Sequence, residues 1–174
     1  DTLLQALTRL APATQLAVVG HPRQIPHYRQ QVEQLGLTPR VHFLGSMADL
    51  TPAYCAADCL AHPTLEDSFG MVVLEAMAHG LPVVVSGQAH CGIARHLQDG
   101  CQALLLADPR DHHALAERLR SVLEQPELAT RLRDHGLAFA QAHTWECAAI
   151  QYDAIYQQVS FIKNTCPNKP GNAG

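Results

Sequence analysis

The stretch LEDSFGMVVLEAMAHGLPVVV, residues 65–85, reads as one unit of an α/β fold. An acidic segment ending in Gly70 leads into a helical segment over 71–79, Gly80 stops it, and Pro82 opens an apolar, β-rich run. The same unit recurs outward in both directions. β-rich runs fall at LAVVG (16–20), VHFLG (41–45), CLAHP (59–63), PVVVS (82–86) and ALLLA (103–107). Helical segments at 25–35, 48–57, 71–79 and 112–124 separate or follow them, with Gly36, Gly80 and Pro126 as stops. Runs apolar throughout predict strands buried on both faces, hence a doubly wound, mostly parallel, Rossmann-like α/β sheet with helices on each side. Beyond 107 no strand is expected. Residues 127–142 and 145–159 read as amphipathic helices, giving one domain over 1–160 and a disordered tail over 161–174.

Composition narrows the function classes. A chain of 174 residues with 47% hydrophobic residues suits one core rather than two full-sized domains. A formal net charge of -4, with Lys and Arg scattered, argues against a nucleic-acid partner. No run approaches the roughly 18 apolar residues of a membrane span, and the N-terminus lacks the layout of a signal peptide; the expectation is a cytoplasmic protein. The six cysteines show no CxxC spacing and read as free thiols in a reducing compartment. The eleven histidines form no ligand cluster on one element, so no metal is expected, and Asp111-His112-His113 reads as the first turn of a helix.

In open α/β sheets, ligands bind outside the carboxyl ends of the strands. Glu66 and Asp67 fall in the loop over that edge. Gly70 permits close backbone approach, and the N–H groups of Met71, Val72 and Val73 at the helix start suit a phosphate. Glu75 projects from the first turns of the same helix, and a carboxylate can accept two hydrogen bonds from a ribose diol. Spacing alone serves equally well for Asp67 as an N-cap and Glu75 as a helix-dipole or surface ion-pair partner.

From about residue 13 to 159 the chain resembles the C-terminal, nucleotide-sugar-binding half of a GT-B fold glycosyltransferase of family 4, the retaining group 1 transferases. The carrying stretches are VHFLGSMADLTPAYCAADCLAHPTLEDSFGMVVLEAMAHGLPVVVS, GIARHLQDG and HTWECAAIQYDAIY. The resemblance implies transfer of a sugar from a nucleoside diphosphate to a hydroxyl acceptor in glycolipid or polysaccharide synthesis, with no cofactor and no bound metal. It puts Asp67, with Glu66 beside it, at the transferred sugar and Glu75 at the ribose. Phe69, Gly70, Met71 and Val72 then border the donor, and Gly45 and Ser46 border its base. Two departures stand out. Asp67 is one methylene shorter than the family's glutamate, and His90-Cys91-Gly92 keeps only one of two usual glycines, a variant reminiscent of the lipopolysaccharide-core glucosyltransferase branch. His90 is open to two readings, a donor neighbour or a plain loop residue.

The resemblance also implies parts that these residues do not include: an N-terminal acceptor-binding domain as partner, an opening strand, and a loop bearing an Arg and a Lys toward the diphosphate. The expectation is a domain inactive by itself, with peripheral association at the inner face of the membrane left to the missing domain. The alternative is a standalone nucleotide-sugar-binding subunit that works with a separate acceptor-binding chain. Ile150 and Ile155, on the last helix, are expected to be exposed.

Overall fold

A computed structural model describes residues 1–20 and 24–165, with side chains through residue 159. They form two compact units, divided between Ala140 and Gln141. In the first, α1 (Thr2–Leu7), β1 (Leu16–Val19), α2 (Ile25–Gln34), β2 (Val41–Gly45), α3 (Thr51–Ala56), β3 (Leu60–His62), α4 (Met71–Ala78), β4 (Val83–Ser86), a 3-10 turn (Gly92–His96), β5 (Leu104–Leu106) and α5 (His112–Glu124) follow in order, and α6 (Pro126–Gln141) closes it with all but its last residue. All five expected strands are present within a residue or so of their ends. The α3 segment is shorter than 48–57, because Pro52 suits only the first turn of a helix and Asp49 instead accepts the Thr51 N–H in a tight turn.

Every ladder is parallel, but the strands form two sheets, β1-β2 and β3-β4-β5. No ladder among the described residues joins the two sheets. One apolar cluster joins both sheets. Leu4, Leu7, Val32, Leu115 and Leu119 from α1, α2 and α5 pack with Val41, Val84, Leu104 and Leu106, and Leu16, Val18 and Phe43 lean on them. Full burial of each such side chain stabilises by about 1.5–3 kcal/mol.

The opposite face is covered only in part, which corrects the expectation of strands buried on both faces. There Val73, Ala76 and Met77, spaced i, i+3, i+4 along α4, pack on Val83 and Val85 together with Ala140 of α6. These helices sit over β3-β4-β5, where β4 is buried at every position. The β1-β2 pair has no such cover among the described residues, so Ala17, Val19 and Leu44 are exposed, and β1 alternates between half-buried and exposed.

Asp111 caps α5, its Oδ1 accepting the N–H groups of His113 and Ala114 at 2.9 Å each. In the second unit α7 runs Trp145–Thr165, past the expected end at 159, and residues 161–165 of the expected tail belong to it. Residues 166–174 of that tail lie outside the described residues. Ile150 and Ile155 are exposed, as expected. No helix among the described residues is long and apolar enough to cross a membrane.

Candidate functional site

Parallel strands put their carboxyl ends on one edge, and two loops meet there, 63–70 after β3 and 87–91 after β4. They are stitched together by backbone. Asp67 N–H donates to the His90 carbonyl at 2.8 Å, Gly92 N–H to the Asp67 carbonyl at 3.1 Å, and Ile93 N–H to the Phe69 carbonyl at 2.6 Å. This parallel bridge, Asp67 to Cys91, joins residues that no local sequence signal connects. Ser86, the one buried polar residue of the described core, donates from its hydroxyl to the Thr64 carbonyl at 2.7 Å and so pins the first loop to the end of β4. His90 Nδ1–H donates to the Leu65 carbonyl at 3.0 Å, so this side chain braces the loop pair.

Two glycines allow the loops to touch. Gly70 turns the chain into α4 with φ +94, and a Cβ there would meet the Cys91 sulfur at 2.7 Å. At Gly92 a Cβ would overlap the Ser68 carbonyl oxygen. Cys91 tucks its buried thiol against the Phe69 carbonyl at 3.6 Å.

The structure separates the two neighbouring acids. Glu66 is exposed, whereas Asp67 is half-buried and anchored. Asp67 Oδ2 accepts His62 Nε2–H at 3.0 Å, and Oδ1 accepts the Phe69 N–H at 3.1 Å. Burial pushes the Asp67 carboxyl up, but the bonds from His62, Phe69 and Gly70 outweigh it and hold the group below the usual carboxylate range. The side chain is therefore a fixed anion beside the start of α4. Three donors occupy its roughly four lone-pair sites, so acceptor capacity remains for one sugar hydroxyl.

Glu75 lies on the second turn of α4, half-buried. Its Oε2 accepts the Tyr54 O–H at 2.9 Å, and Oε1 has no hydrogen bond among the described residues. The Tyr54 ring stacks on His79 with centroids 4.9 Å apart, and His79 Nδ1–H donates to the Glu75 carbonyl at 2.8 Å. Burial, then the Glu75 carboxylate, raise the Tyr54 phenol, which keeps it a donor.

At the start of α4 the expected trio of free N–H groups is reduced. Val73 N–H turns back to the Gly70 carbonyl at 2.9 Å, because the left-handed turn at Gly70 tightens the first helical turn; Met71 and Val72 keep the N–H groups that point out of the helix. Gly45 ends β2 with φ +73 beside Gly20, whose N–H donates to the Gly45 carbonyl at 2.8 Å, and Ser46 is exposed next to them on the same edge.

His62, Asp67 and Cys91 offer three metal-ligand atoms within 4.8 Å of one another. In this structure His62 and Asp67 are bonded to each other, and the Cys91 thiol bonds the Phe69 carbonyl. Concavities of about 510 Å3 along α6 and about 440 Å3 between the 3-10 turn and β5 lie apart from the two acids. Sequence reasoning passed over His62 and Tyr54. The signals were a polar residue ending an apolar strand at the ligand edge, and a single large side chain in a segment of small ones.

The fold matches part of longer solved structures. The crystal structure of WaaG, a glycosyltransferase involved in lipopolysaccharide biosynthesis, matches with TM-score 0.73 at 31% identity, over 82% of this chain and 39% of WaaG. The structure of Anabaena Alr3699/HepE in complex with UDP-glucose matches with TM-score 0.77 at 26% identity, over 91% of this chain and 44% of HepE. The architecture is thus the C-terminal half of a GT-B fold. The family profile of the glycosyl transferases group 1 covers residues 1–125, and the chain belongs to that family. Among curated relatives, the lipopolysaccharide glucosyltransferase WaaG of Escherichia coli K12 is 35% identical over 134 residues, 74% of this chain and 34% of WaaG. The D-inositol 3-phosphate glycosyltransferase of Corynebacterium glutamicum strain R is 33% identical over 139 residues, 79% of this chain and 32% of its own length. The chain spans about a third of the length of these relatives.

Proposed function

We propose that this chain is the donor-binding part of a retaining glycosyltransferase that moves a sugar from a nucleoside diphosphate to a hydroxyl acceptor in glycolipid or polysaccharide synthesis. The observation that carries this reading is the arrangement at α4: an anchored anion at Asp67, N–H groups at Met71 and Val72, and a half-engaged carboxylate at Glu75 on one short segment. The Met71 and Val72 N–H groups receive the diphosphate, whose negative charge grows as the anomeric C–O bond breaks. Glu75 Oε1 accepts a ribose hydroxyl. Asp67 faces the transferred sugar, where oxocarbenium charge develops, and Gly45 and Ser46 border the base. Phe69 and Gly70 shape the entry to the helix. The reading assigns no metal. The acceptor is held by an N-terminal domain of the same enzyme, working on the cytoplasmic side of the membrane. UDP-glucose is the first donor to test, since HepE is described in complex with it and WaaG is a glucosyltransferase.

The test is a transfer assay of the full-length enzyme with UDP-, GDP- and ADP-sugars, on wild type and on Asp67→Ala, Glu66→Ala and Glu75→Ala. Loss of a hydrogen bond to a charged group costs about 1.5–3 kcal/mol, so each change in the working acids lowers kcat/KM by roughly ten- to more than a hundredfold. Asp67→Ala should act mainly on kcat and Glu75→Ala mainly on donor KM, while Glu66→Ala, at an exposed side chain, should be mild. An intact Asp67→Ala enzyme with a dead Glu66→Ala enzyme would move the sugar contact to Glu66.

A further inference from the structure

We infer that Tyr54 is a positioning residue for nucleotide recognition: its hydroxyl holds one oxygen of Glu75 so that the other is presented, already oriented, to the ribose. This rests on the reading of Glu75 as the ribose ligand. A glutamate side chain near a helix start has three rotatable bonds, and ordering it on ligand binding opposes affinity. Here the Tyr54 O–H at 2.9 Å from Oε2 has already ordered it, leaving Oε1 without a partner among the described residues. Tyr54 is itself held. Its ring packs against the α4 cluster and stacks on His79, and His79 returns a hydrogen bond to the backbone carbonyl of Glu75. The phenol and the ring thus engage the same turn of α4 at two points, through the side chain of Glu75 and through its carbonyl.

The helix that supplies Tyr54 has no other evident task at this edge. α3 is a six-residue helix with no fully buried residue. Apolar packing of α3 on α4 would need only the ring, and a phenylalanine would supply it. The hydroxyl adds a donor aimed at a carboxylate, and a bond of that type is shorter and stronger than one between neutral groups. A carboxylate with one oxygen committed is also directional: it accepts from a ribose hydroxyl along a fixed line, which a free rotor does not.

The experiment uses the full-length protein and measures Kd by calorimetry for UDP, GDP and ADP, then for the tightest binder against its 2′,3′-dideoxy form. The wild type should prefer the ribose form by about tenfold or more, as expected for a hydrogen bond to a charged group. Glu75→Ala should bring this ratio to about one. Tyr54→Phe, which keeps the ring and the His79 stack, should lower the ratio by about three- to tenfold. It should leave affinity for the dideoxy form unchanged, and add nothing when combined with Glu75→Ala. A wild-type ratio in Tyr54→Phe alongside a collapsed ratio in Glu75→Ala overturns the role of Tyr54 and leaves the ribose contact standing. Equal weakening of both nucleotide forms in Tyr54→Phe makes the tyrosine a mere staple between helices and overturns it as well. An unchanged ratio in Glu75→Ala, or no binding of any of the three nucleotides, removes the ribose reading beneath it.

Discussion

Replacing Gly92 by alanine should separate the two loops that form the ligand edge. A Cβ at this position overlaps the carbonyl oxygen of Ser68, and it would stand 3.0 Å from the Ser68 carbonyl carbon and 3.1 Å from Phe69 Cα. All three neighbours are backbone, so no rotamer change relieves the overlap and the loops must part. Forced insertion of a methyl into a packed site costs about 1–3 kcal/mol. Parting also strains the bonds Asp67 N–H to His90, Gly92 N–H to Asp67 and Ile93 N–H to Phe69, each worth about 1 kcal/mol net. With two of the three lost, the total is about 3–5 kcal/mol, a large share of the roughly 5–15 kcal/mol by which domains of this kind are stable. Urea unfolding followed by circular dichroism would read this as a fall of about 1–5 M in midpoint, for a slope of about 1–3 kcal/mol per molar. Gly36→Ala is the internal control. Gly36 has φ +67 but no atom within 4 Å of where a Cβ would stand, so its replacement should cost only the left-handed backbone penalty of about 1–2 kcal/mol. A Gly92→Ala protein no less stable than Gly36→Ala would refute the close-approach argument.

Two further outcomes follow from titration and burial. Asp111→Ala should lower the thermal midpoint at neutral pH through loss of the α5 cap. The Ala114 N–H, with that of His113, holds the Asp111 carboxyl below its usual range. The stabilisation is therefore complete above the ordinary aspartate value near 4 and fades as pH falls through the lower folded value, so the gap between variant and wild type should close on acidification. A gap that stays constant into strong acid would contradict this. Among the thiols, Cys55 is exposed, Cys59 packs against the core with its thiol pushed up to about 12 by burial and then by Asp58, and Cys91 is buried with its thiol raised. Iodoacetamide at pH 8 should thus alkylate Cys55 well before Cys59 or Cys91, as read by peptide mass spectrometry; early labelling of Cys59 would contradict its packing.

Much of the fold follows from local pattern. The five strands were legible because each is a short apolar run closed by Gly, Pro or a polar turn, and α5 because Asp111 precedes a stripe of Leu115, Leu119 and Val122. The placing of Glu66, Asp67 and Glu75 at the carboxyl edge follows from the same order of strand, loop and helix. Which acid is anchored did not follow, since Glu66 and Asp67 are adjacent and chemically alike; His62 and the Phe69 N–H select Asp67. Nor did the one-sided burial of β1 and β2, because an apolar run has the same composition whether one face or two are covered, and the cover comes from helices distant in sequence. The bridge of Asp67 to Cys91 and the bond of Tyr54 to Glu75 join residues 24 and 21 positions apart. Such pairings leave no periodic signal, because they depend on where two loops or two helices come to rest once the sheet beneath them has formed.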